Sequence, residues 1–106
     1  MASIEVKNLG SPDEIRPFEG HGHVDLVHIA GRDVGKGVFE PGWRWSNDVK
    51  PIAQTDSCQV EHLGYVISGR MRVTMDDGSS AELRAGDVCA IPPGHDAEVI
   101  GDEACV

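Results

Sequence analysis

No stretch of ten or more residues in this chain carries apolar side chains at helical spacing. Thirteen glycines and six prolines instead cut its 106 residues into short segments that alternate in polarity. Such a chain cannot build a helical bundle. It can build many short strands joined by tight turns, which points to an all-β, antiparallel barrel or sandwich, with a jelly roll the natural member at this length.

The segments follow in order. Ser3 to Leu9 alternates loosely and reads as a first strand, and Pro12 to Phe18 has room for one short helical turn at most. His23 to Ile29 and Val34 to Glu40 read as the next two strands. Asn47 to Ser57 is polar and broken by Pro51, so it reads as a loop. Cys58 to Ile67 alternates throughout and reads as one long strand, turning at Ser68-Gly69 into a partner, Arg70 to Met75. Asp76-Asp77-Gly78 is a strong hairpin signal. Ala81 to Leu83, Val88 to Ile91 and His95 to Ile100 complete the set, and Cys105-Val106 opens a further short strand.

Alternation places Cys58, Val60, His62, Gly64 and Val66 on one face of their strand. A thiol and an imidazole four residues apart, among small apolar neighbours, suit a cation site or a lined pocket. A core histidine bonded to a neighbouring carbonyl is the plainer reading of His62. Tyr65 falls on the other face. His21-Gly22-His23 has the look of a ligand pair, but the surrounding glycines mark it as a strand entry, and His28 reads as surface. Trp43 and Trp45 share a face if extended; such indoles anchor a core or form an apolar wall for a small organic ligand.

Charge narrows the partners. Eighteen acidic against nine basic residues give a formal net charge of -9, which argues against nucleic acid and against an anionic membrane surface. No apolar run approaches the roughly 20 residues of a membrane span. The first residues lack the charged-then-apolar pattern of a signal peptide, and three cysteines without regular spacing make a poor disulfide framework. A cytoplasmic protein is expected.

Two stretches resemble the cupin family. Gly86-Asp-Val-Cys-Ala-Ile-Pro92-Pro-Gly94 is similar to that family's second motif, a glycine, five residues, a proline, one residue, a glycine, two residues and a histidine. The segment His62 to Gly69 has the spacing with which the first motif runs from its ligand glutamate to a glycine. The resemblance implies an antiparallel double-stranded β-helix, the jelly-roll or cupin barrel, over residues 1–106. Its motif-bearing core is about residues 34–100, and residues 1–33 supply strands that add to the barrel or to a dimer.

The ligand chemistry departs from the family's three histidines and one glutamate. His62 stands where the glutamate is expected, Cys58 and Asp56 stand where histidines are expected, and Ala97 replaces the last histidine. His95 lies two residues before Ala97 and so on the same strand face. His62, His95 and Cys58 are therefore the candidate metal ligands, a set suited to zinc, nickel or iron. Asp56 and Asp96 are candidates to orient a ring nitrogen. The expected function is that of a small cupin binding a divalent metal and acting on a small organic molecule. The alternative is a barrel that binds or senses a small molecule without metal. Exposed sheet edges in such barrels favour a homodimer.

Overall fold

The computed structural model describes residues 3–106. Its strands are β1 (Glu14–Pro17), β2 (Gly22–Ile29), β3 (Arg32–Phe39), β4 (His62–Tyr65), β5 (Arg70–Met75), β6 (Ser80–Arg84), β7 (Val88–Ile91) and β8 (His95–Val99). Two helical turns, α1 (Trp45–Asp48) and α2 (Lys50–Ala53), lie between β3 and β4. Every strand pair is antiparallel. The strands form three sheets, ordered β1-β2-β3, β4-β7 and β6-β5-β8. The expectation of an all-β chain holds, whereas the sheets stand as separate pieces rather than as one closed barrel.

Local chemistry explains the turns. Ile29 pairs with Arg32, leaving Ala30 and Gly31 as a two-residue loop with φ of 51° and 71°. Positive φ at both positions is what a tight hairpin needs to match strand twist. The β5–β6 hairpin closes over Asp76-Asp77-Gly78, with Gly78 at φ 90° and the Asp77 carboxylate accepting the Ser79 amide N–H at 2.9 Å.

The core sits between the β6-β5-β8 sheet and the segments facing it. Alternation along β5 buries Met71 and Val73 and exposes Arg72 and Thr74. Trp43, Trp45, Cys58, Val66, Ala97 and Cys105 complete the buried cluster. The Cys105 segment ties the chain together, because Phe39 and Cys105 exchange both backbone hydrogen bonds at 2.8 Å. All three cysteines are free thiols. No helix among the described residues is long and apolar enough to cross a membrane.

Four expectations need correction. Ser3 to Leu9 is not a strand, and the segment expected to hold a helical turn contains β1 instead, aligned by β2 from Glu14↔Leu26 to Pro17↔His23. Pro17 is tolerated because it ends an edge strand. The Asn47–Ser57 loop holds α2 and the end of α1; Pro51 sits in the first turn of α2, where its missing N–H costs nothing. Cys58 to Ile67 is not one strand. Only His62–Tyr65 pairs with β7, while Cys58 bridges to His95 of a different sheet.

Candidate metal centre

Three backbone segments converge on one point. Cys58 is held by its own main chain, its N–H donating to the His95 carbonyl at 2.7 Å and its carbonyl accepting the Gly94 N–H at 2.7 Å. His95 opens β8 opposite Met75 of β5, on the same inward face as Ala97. It is only 3% exposed. His62 opens β4 opposite Ile91 of β7. The turn that delivers His95 depends on Gly94, whose φ of 91° lies where L side chains are strained.

The side chains finish the convergence. The Cys58 Sγ lies 3.6 Å from the His62 Nε2, and the two imidazole rings meet edge to face with centroids 5.2 Å apart. One donor atom from each of Cys58, His62 and His95 falls within 4.8 Å of the others. On a tetrahedral zinc with bonds of about 2.3 Å to sulfur and about 2.0–2.1 Å to nitrogen, adjacent donors stand roughly 3.5 Å apart. The thiol–His62 separation already matches that edge, and the widest of the three needs modest closure.

Protonation also fits. His95 Nδ1 lies 2.8 Å from the Pro92 carbonyl oxygen. A carbonyl only accepts, so Nδ1 carries the proton and Nε2 presents a lone pair. Metal-bound histidines are oriented by this kind of bond. His62 is the exposed member of the three, yet partial loss of hydration, helped by the nearby His95, lowers its pKa below the ordinary value and favours the neutral ring. Burial pushes the Cys58 thiol up, only partly offset by a hydrogen bond from the Val60 backbone. Without a cation, Cys58 is a thiol at neutral pH.

The structure thus brings together the three donors expected from sequence. Trp43 and Trp45 are buried in the same cluster as Cys58, and Trp43 packs edge-on against Phe39 at 4.7 Å and tilted against Phe18 at 5.6 Å. Asp96 does not orient a ring nitrogen. Its Oδ1 accepts the Ser46 and Ala97 amide N–H groups and so ties α1 to β8. Asp56 is exposed. His21 sits 3.0 Å from the buried Asp48 carboxylate, and neither His21 nor His23 joins the cluster. The Pro92 carbonyl was missed. Its signal was the Pro92-Pro-Gly-His95 turn, which folds the ring back onto its own backbone.

Comparison with known proteins adds one match. Residues 43–104, more than half of the chain, match the family model described as EutQ-like cupin domain. All three donors lie within the matched region, whereas β1, β2 and β3 lie outside it. No curated protein and no solved structure matches.

Proposed function

Since the chain belongs to the EutQ-like cupin domain family, we propose that it binds a divalent cation through Cys58, His62 and His95 and acts on a small organic molecule. The observation that carries this reading is the oriented His95. The His95 ring is 3% exposed, its Nδ1 is committed to the Pro92 carbonyl, and a ring nitrogen, the Cys58 thiol and the His62 imidazole fall within 4.8 Å of one another. Three protein donors leave coordination positions open, as catalytic rather than structural sites do.

Cys58 gives up its proton on loading, so uptake strengthens as pH rises. The lowered pKa of His62 favours a ring that needs no proton removed on loading. A cation held there would supply Lewis-acid polarisation or activation of a bound water. Metal analysis of protein purified without an affinity tag tests the reading. Near-stoichiometric zinc, nickel or iron, lost in His62→Ala, is expected. Substoichiometric metal unchanged by that substitution would overturn it.

One observation favours a second reading, a barrel that binds a small molecule without metal: burial keeps Cys58 protonated. Thermal shift separates the two. Stabilisation by organic compounds in excess chelator supports the second, and stabilisation only by divalent cations supports the first.

The same reading extends to architecture and assembly. The β4-β7 and β6-β5-β8 sheets are proposed as the two walls of a double-stranded β-helix, supported by their shared core. A homodimer is proposed because the outward face of β4-β7 is apolar and open: Leu63, Tyr65 and Val88 are 84%, 62% and 73% exposed. A face of this composition is rarely left bare. Light scattering should give twice the chain mass, and a monomer at micromolar concentration would contradict the proposal. Free buried thiols suit the reducing cytoplasm proposed as its compartment.

A further inference from the structure

A cleft of about 350 Å³ opens between β7 and the β5–β6 hairpin. Val73, Met75, Ala81, Leu83 and Ile91 form its apolar lining, and Ser79, Ser80 and Cys89 also border it. No charged side chain lines it. None of the three donors lines the cleft, but three of its lining residues adjoin them. Ile91 is the cross-strand partner of His62, Met75 is the partner of His95, and Pro92 both borders the cleft and holds the His95 ring.

We infer that the small molecule this centre serves is neutral and largely apolar, its body in this cleft and its reactive end toward His62 and His95. The volume lies at the lower end of the roughly 300–1,000 Å³ of small-molecule sites, where apolar walls and a few uncharged hydrogen-bonding groups are usual. A carboxylate or phosphate seated between these walls would lose hydration without meeting a cationic side chain, a cost that apolar walls do not offset. The chain does place arginines at a cleft, but at the opposite end of β5. There Arg70 and Arg84 border a separate opening together with Asp102 and Glu103. The formal charge of -9 further disfavours anions.

The link to chemistry rests on the proposed metal centre, whereas the cleft is tested without metal. Amide spectra of the full chain in excess chelator are titrated with benzyl alcohol and, separately, with benzoate. Benzyl alcohol is expected to shift the amides of Leu83, Cys89 and Ile91 saturably, at least about tenfold more tightly than benzoate. Ala81→Phe, which fills the cleft from β6, is expected to weaken benzyl alcohol about tenfold. Should that variant fold poorly, alkylation of the wild-type Cys89 gives the same answer, slowed by benzyl alcohol and not by benzoate. Equal affinity for the two compounds, shifts confined to other elements, or no saturable shift would overturn the inference. So would cleft amides that move with protein concentration alone, since a second copy would then fill the space. Absence of metal in purified protein would sink the metal centre and leave the cleft result standing.

Discussion

Replacing Gly94 by alanine separates the cost of a strained turn from its effect on the site. Gly94 has φ of 91°, and a Cβ added there would stand 3.0 Å from the Asp76 Oδ2. Gly78 has nearly the same backbone, φ 90°, yet a Cβ there meets nothing within 4 Å. Gly78→Ala therefore incurs the left-handed backbone penalty alone, about 1–2 kcal/mol. Gly94→Ala incurs that penalty and must also move Asp76, which accepts a hydrogen bond from the Ser57 hydroxyl at 2.9 Å. Weakening a hydrogen bond to a charged group adds about 1.5–3 kcal/mol at most. Gly94→Ala should thus lose roughly 2–4 kcal/mol against 1–2 for Gly78→Ala in urea unfolding. Only Gly94→Ala should weaken metal binding, because the Gly94 N–H bonds the Cys58 carbonyl and His95 is its neighbour. Equal destabilisation of the two variants, with equal metal affinity, would refute the idea that this turn positions the donors.

Other consequences follow from single residues. Ala30 adopts φ of 51° in a loop that asparagine or glycine fills without strain, so Ala30→Asn should stabilise the chain by about 1 kcal/mol in the same unfolding assay. The Asp33 carboxylate, 2.6 Å from the His28 ring, raises the His28 pKa above its ordinary 6.5. The pair's contribution is complete below that ordinary value and disappears as pH rises through the raised one. Histidine NMR titration should show the elevated midpoint, and Asp33→Asn should lower it. His95→Ala should cost about 2–3 kcal/mol, since it empties a buried position and strands the Pro92 carbonyl; a loss under 1 kcal/mol would mean that the ring is not packed as described.

Much of this was legible in the sequence, and the reasons differ by element. β5, β7 and β8 were readable because apolar alternation and turn glycines agree there. Ser3 to Leu9 alternates too, but no strand pairs with it among the described residues, and alternation without a partner makes no ladder. Glu14-Ile-Arg-Pro17 has little strand character of its own and is recruited by β2. The long Cys58 strand failed because β7 offers only four residues, Val88 to Ile91, to pair with. Parity from Cys58 to His62 was therefore not guaranteed by a ladder. The two donors still meet, because the Cys58 backbone is bonded to His95 rather than to the β4-β7 sheet. Neither helical turn could be seen, since four residues are too few to display a stripe.

X-ray absorption at the zinc edge of the zinc-loaded, tag-free protein reads the donor set without reference to activity. The centre described here predicts one sulfur at about 2.3 Å and two imidazole nitrogens at about 2.0–2.1 Å, with oxygen from solvent completing the shell. The sulfur should vanish in Cys58→Ser, and one nitrogen in His62→Ala. A shell of oxygens alone, or one unchanged by both substitutions, would contradict it.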